Sequence, residues 1–305
     1  MKILLALLPL IANSFLVTPK SIYPEVCTSE VVKNEIHFIG STPGDDLIKE
    51  QLGIEADIKI DFIRWDLKLG PESTFILNIQ FGENQPNTLG FIRGGQSKGY
   101  QGTFTIIKNE NTEIYQFKAI NLKLAMMRLS NNLFHILTHE NKLMVGNGGW
   151  SYTLNNKFPT KKEIKLPTLK GFNKSANDRL TQIIFDGRTP CQEFATEHQM
   201  KVSQACFKLK WKLTLNRNPF DFQPTTYSIR KVVDNTPKDI TGTWTIIKNA
   251  ESNPDAIIYQ LDPDKPNQTI SLLVGDENIL YFLHKDKALF VGNGDFSFTL
   301  NKRSQ

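Results

Sequence analysis

The segment Phe207-Lys208-Leu209-Lys210-Trp211-Lys212-Leu213-Thr214-Leu215 alternates apolar and polar residues without a break, the period of a β-strand with one buried face. It predicts Phe207, Leu209, Trp211, Leu213 and Leu215 inside, with Lys208, Lys210 and Lys212 on a solvated face. Short apolar runs follow closely and predict further strands over 226–232, 243–248, 256–261, 269–274, 278–283, 288–291 and 296–300. Turn residues separate them, as in Asn216-Arg217-Asn218-Pro219 and Asp262-Pro263-Asp264-Lys265-Pro266, where proline, asparagine and aspartate favour reversal. Helix is expected only over 44–52 and 191–201. Seven or eight strands at such spacing predict an all-β antiparallel meander, and closing it into a barrel removes the exposed edges of an open sheet.

The same pattern occurs twice. Gly102-Thr103-Phe104-Thr105-Ile106-Ile107-Lys108-Asn109 returns as Gly242-Thr243-Trp244-Thr245-Ile246-Ile247-Lys248-Asn249, and Trp65-Asp66-Leu67-Lys68-Leu69 as Trp211-Lys212-Leu213-Thr214-Leu215. The inward residues Ile63, Trp65, Leu67 and Leu69 keep their character, while the outward residues change to Arg64, Asp66 and Lys68, the drift that a half-buried strand permits. Each unit is domain-sized at roughly 115 to 120 residues. The chain therefore reads as two tandem antiparallel β-barrels over 28–158 and 180–305, with a proline- and lysine-containing linker over 159–179.

Charge and composition narrow the function. Met1-Lys2 precedes the apolar run Ile3 to Ile11 and the small residues Ala12-Asn13-Ser14, which predicts a secretory signal peptide within 1–20 and no transmembrane span in the mature chain. A formal charge of +5 makes no case for a nucleic-acid partner. Of the cysteines, Cys191 falls where the first repeat has Gly44, and Cys206 where it has Ile60. Two cysteines that differ between the repeats as a pair predict a disulfide in an exported protein, with free thiols or a metal site as alternatives. Cys27 is left over.

In landmark order the second repeat runs from Pro190-Cys191 through the long strand to Gly242-Thr243-Trp244, then Ile258-Tyr259, Tyr281-Phe282-Leu283-His284-Lys285-Asp286 and Phe296-Ser297-Phe298-Thr299-Leu300. This order resembles the N-terminal domain of the copper-resistance lipoprotein NlpE family, a small lipocalin-like barrel. The resemblance covers the second repeat and, more weakly, the first. It implies a cell-envelope location and a role in sensing or buffering stress. The family's C-x-x-C and lipid-attachment cysteine are absent, Cys191 being followed by Gln192-Glu193-Phe194, so copper chemistry does not carry over.

Catalytic machinery is not evident. The histidines His37, His135, His139, His198 and His284 have no histidine at the matching place of the other repeat, and no nucleophile and base recur in both. The expectation is a non-enzymatic module without cofactor. Its partner would be an envelope or extracellular protein, or, in the alternative, a small apolar ligand carried inside a barrel. Gly146, Asn147 and Gly148, repeated as Gly292, Asn293 and Gly294, are the candidate ligand or turn loop. Trp65, Trp211 and Trp244 are candidates for the barrel interiors, and a tryptophan there can also floor a ligand pocket.

Overall fold

The computed structural model describes residues 36–303 except 110–111, 161–165, 168, 170–179, 234–235 and 251–252. The signal-peptide expectation and Cys27 lie outside the described residues, as does most of the linker.

The first barrel closes from β1 (Ile36–Pro43), β2 (Phe62–Leu69), β3 (Thr74–Gly82), β4 (Gln96–Asn109), β5 (Thr112–Ala119), β6 (Leu122–Ser130), β7 (Leu133–Ile136) and β8 (Thr153–Asn156), in that order. The second closes from β9 (Gln182–Pro190), β10 (Lys208–Arg217), β11 (Pro224–Val233), β12 (Thr236–Ala250), β13 (Asn253–Leu261), β14 (Ile270–Asp276), β15 (Ile279–Leu283) and β16 (Thr299–Lys302). Each is an antiparallel meander whose last strand pairs with its first, β8 on β1 and β16 on β9. One-turn helices, α1 (Asp46–Gln51) and α2 (Gln192–Glu197), follow the first strand of each barrel.

Alternation decides what fills each interior. Trp65, Leu67 and Leu69 of β2 pack with Phe38, Phe134 and Tyr152 in the first barrel, and Leu209, Trp211 and Leu213 pack with Phe194, Phe282 and Phe290 in the second. Both tryptophans are anchored alike, Trp65 Nε1 donating to Thr42 at 2.8 Å and Trp211 Nε1 to Thr189 at 2.9 Å. Trp244 is buried in the second barrel, its Nε1 donating to the Asn216 carbonyl at 2.8 Å.

Several expectations need correction. Of the run 296–300 only Thr299 and Leu300 lie in a strand, β16, and the second barrel opens with β9, which falls outside the runs expected to be strands. Phe207 is 52% exposed, because the β9–β10 ladder begins only at Lys208 opposite Pro190 and the pleat does not govern the residue before it. Residues 288–291 form no strand; they meet the end of β15 through one isolated bridge, Leu283 to Leu289. The disulfide joins Cys191 to Cys206. In the first barrel the same place is filled by contact: a Cβ on Gly44 would lie 2.2 Å from Ile60 Cγ2.

The barrels share a core of their own. Outward residues of β6 and β7, including Met127 and Leu133, pack with Leu137 and Leu143 against Leu273, Ile279, Leu283 and Leu289 of the second barrel. Leu166 and Leu169, from the described part of the linker, are buried in the same cluster. At roughly 1.5–3 kcal/mol for each fully buried aliphatic side chain, this seam is an extension of the fold and not a transient contact.

Candidate functional site

The seam obeys a local two-fold axis. Three side-chain pairs meet across it at a sequence separation of 146: Ser151 with Ser297, Thr153 with Thr299 at 3.0 Å, and His135 with Tyr281 at 2.9 Å. Equivalent residues facing each other define an isologous interface, the kind found in symmetric dimers. His135 is fully buried, and burial pushes its imidazole down to about 4. It is therefore neutral, with Nε2 donating to the Met144 carbonyl at 2.9 Å and Nδ1 accepting from the Tyr281 hydroxyl.

The Gly-Asn-Gly loops belong to this seam. Gly146 N donates to Asn301 Oδ1 at 2.7 Å, and Gly292 N to Asn155 Oδ1 at 2.7 Å. Asn155 Nδ2 also donates to the Asn293 carbonyl at 3.0 Å, and Ser41 Oγ to the Gly294 carbonyl at 2.8 Å. Inside each loop the asparagine side chain accepts from two following amides, Asn147 from Gly149 and Trp150, Asn293 from Asp295 and Phe296. Glycine is needed because a Cβ would sit 2.2 Å from the Trp150 carbonyl oxygen at Gly146 and 2.3 Å from that of Phe296 at Gly292. Gly148 has φ +76° and its Cα faces Asp186 of the other barrel.

Beside these loops lies a cleft of about 520 Å³, lined from both barrels. Trp150 stacks on Phe62 at 4.8 Å, and Phe62 on Phe91 at 4.1 Å. The second barrel contributes Phe207, Phe296 and three cations, Arg188, Lys208 and Lys210. The Arg188 guanidinium lies 5.4 Å from the Trp150 ring centre, and the Lys208 ammonium 4.8 Å from that of Phe207. A second hollow of about 340 Å³ shares Arg188 and Lys210 and continues past Lys212 and Arg230.

Register explains the concentration of charge. Lys210 lies opposite Arg188 on β9, and Lys212 opposite Arg230 on β11, like charges in directly opposed pairs that destabilise a sheet. Burial lowers the pKa of both Arg188 and Lys208, and for Lys208 repulsion from Arg188 and Lys210 adds to it. The acids nearby are otherwise engaged or turned away. Asp186 is bound to Arg303 at 2.7 Å, Asp295 to Arg64 at 3.0 Å, and Asp239, opposite Arg230 on β12, forms no ion pair with it. Among the described residues, Arg188, Lys208, Lys210, Lys212 and Arg230 have no carboxylate partner. Taken alone, the lysine stripe of β10 reads as a solvated face; the contributions of β9, β11 and the opposing Trp150 appear only when the strands are in register.

Other polar clusters hold structure together. His284 and Glu197 bind each other, and Glu197 Oε1 also accepts from Lys285 N at 2.6 Å, which ties α2 to the turn after β15. Lys231 is buried against the Trp211 ring and is lowered to about 8 by desolvation, with Lys238 adding repulsion. Met126, Met127 and Met144 are apolar filling in the cores. Among the described residues no group of three or more histidine, cysteine, aspartate or glutamate side chains is placed to hold a metal ion, and no helix is long and apolar enough to cross a membrane. No protein-family model, curated protein or solved structure matches the chain.

Proposed function

We propose that the chain is an exported, non-enzymatic binding module of the cell envelope that recognises its partner on its outer surface, at the cleft between the barrels. The observation that carries this reading is the contrast between the two kinds of interior. The barrels are filled with their own aromatic and aliphatic side chains, whereas the inter-barrel cleft is open, aromatic-walled and lined by cations that have no carboxylate partner among the described residues. Clefts that combine apolar walls with a few convergent polar groups are where ligands bind. Export is supported by the apolar N-terminal run after Lys2 and by the Cys191–Cys206 disulfide, since disulfides persist in oxidising compartments. The resemblance to the NlpE family supports an envelope role in stress sensing.

Titration with an apolar fluorophore, read through tryptophan emission, tests surface recognition against carriage. Trp65 and Trp211 sit inside the barrels and are expected to report no saturable uptake; stoichiometric uptake with quenching would establish a carrier instead. Fractionation of the native host is expected to find the processed chain outside the cytoplasm, and a cytoplasmic chain retaining Met1 would overturn export.

A further inference from the structure

The local two-fold axis is broken at one charged corner of the cleft, and the break indicates what the cleft takes. Arg64 and Lys210 occupy equivalent positions on β2 and β10, opposite Ser41 on β1 and Arg188 on β9 respectively. Arg64 is neutralised across the seam by Asp295, at 3.0 Å. The residue equivalent to Asp295 in the first barrel's loop is Gly149, whose Cα faces Arg188, with a Cβ there lying 3.6 Å from the guanidinium carbon. Both loops share one geometry, set by the paired amide bonds to Asn147 and Asn293. A carboxylate presented at this turn therefore reaches the cation of the facing strand, and on the second barrel's side none of the described residues supplies one.

We propose that an acidic peptide segment from a partner protein supplies that carboxylate, docking on Arg188 and Lys210 as Asp295 docks on Arg64. The proposal rests on the surface-recognition reading above and names its substrate class. Three further features fit the same ligand. Lys208, Lys210 and Lys212 alternate along β10 and so recur at about 6.6 Å, the spacing of alternate side chains in an extended peptide. Trp150, Phe207 and Phe296 offer an apolar seat beside the cations. Across the cleft, Asn84, Asn87 and Thr88 present amide and hydroxyl groups suited to a peptide backbone. The precedent of Asp295 favours a carboxylate over a phosphodiester, which also carries regularly spaced charge. Equivalent positions of the first barrel carry Ser41, Phe62, Arg64, Asp66 and Asn78, of which only Arg64 is a cation and it is paired with Asp295, so a single peptide per chain is expected.

The test is fluorescence anisotropy on the mature full-length protein, with a labelled peptide of alternating glutamates around one phenylalanine. Comparison probes are the glutamine version of that peptide and a single-stranded oligothymidylate of equal charge. Saturable binding at one site is expected, weakened about tenfold by Gly149→Asp, which grafts the missing counter-ion, and at least as much by Arg188→Ala combined with Lys210→Ala. Lys123→Ala, at an exposed residue that lines neither hollow, is expected to change nothing. Near-UV circular dichroism checks that each variant is folded; the Gly149→Asp loop is the one the second barrel already builds around Asp295. Absence of binding up to about 1 mM, equal affinity for the glutamine peptide, indifference to Gly149→Asp in a folded variant, or tighter binding of the oligothymidylate would each overturn the proposal. If the peptide fails while the apolar fluorophore also stays unbound, this proposal falls alone; if the fluorophore is taken up, surface recognition falls with it.

Discussion

Acid should loosen the molecule at its axis through one buried residue, His135. His135 is neutral in the fold, pushed down to about 4 by complete burial, whereas a histidine in the unfolded chain titrates near 6.5. The folded value lies below the unfolded one, so the unfolded state binds the extra proton first and stability is lost as pH falls from about 6.5 toward 4. Each pH unit inside that window costs about 1.4 kcal/mol, and between pH 7 and pH 5 the loss attributable to this group is about 2 kcal/mol. His198, also depressed to about 4 by burial, adds a similar slope, so the wild-type curve alone is not diagnostic. Urea unfolding of wild type and His135→Gln should be compared across this range. Glutamine loses stability at neutral pH, but the difference between the two proteins should shrink by about 2 kcal/mol on going to pH 5. A difference that stays constant would mean that His135 is not held neutral, and the geometry of the axis would be wrong.

Other consequences follow from single contacts. Replacing Cys191 and Cys206 by serine opens a loop with a sequence separation of 15 and should cost about 3 kcal/mol in reversible unfolding under oxidising conditions, with no loss of the barrel circular-dichroism signature. Asn155→Ala should destabilise more than Asn301→Ala in thermal melts. Asn155 gives up two bonds across the seam, but Asn301 accepts one there while its Nδ2 has no partner among the described residues; orphaning a loop amide costs about 1–3 kcal/mol. Asp276 is raised to about 6 by burial, above its unfolded value, so its ionisation destabilises the fold as pH rises through 4 to 6. Asp276→Asn should therefore be more stable than wild type by about 2 kcal/mol at pH 7 and show no such gain near pH 3.

Much of each barrel is legible in the chain because a half-buried strand writes its two faces as alternation. The inner series of β2 and β10, the meander, the short helices and the disulfide as the first reading of Cys191 and Cys206 follow from local pattern and from comparing one repeat with the other, whereas β9, whose Asp186-Gly187-Arg188 breaks the apolar alternation, is missed. The seam left a local trace of another kind. Ile279-Leu280-Tyr281-Phe282-Leu283 is apolar at every position, which signals a strand covered on both faces. Leu280 and Phe282 enter the barrel core, and Ile279, Tyr281 and Leu283 enter the shared one. The charged corner left no such trace. Arg188, Lys210 and Arg230 are far apart in sequence and meet only through strand register, and the exchange of Asp295 for Gly149 gains its meaning from the opposite barrel.

That exchange also explains why two barrels in one chain differ from a dimer of one. In a homodimer every substitution near the axis appears twice, so a counter-ion that strengthens the seam on one side must also fill the other. Joining the copies covalently removes that constraint. His135 can face Tyr281, a donor and an acceptor where identical residues would compete for the same role. Asp295 can hold Arg64 while Gly149 leaves the Arg188 and Lys210 corner charged. The opposed like charges on β9, β10 and β11 cost stability that the shared apolar core can bear. On this account cohesion resides in the symmetric part of the interface and recognition in the part where symmetry has been given up.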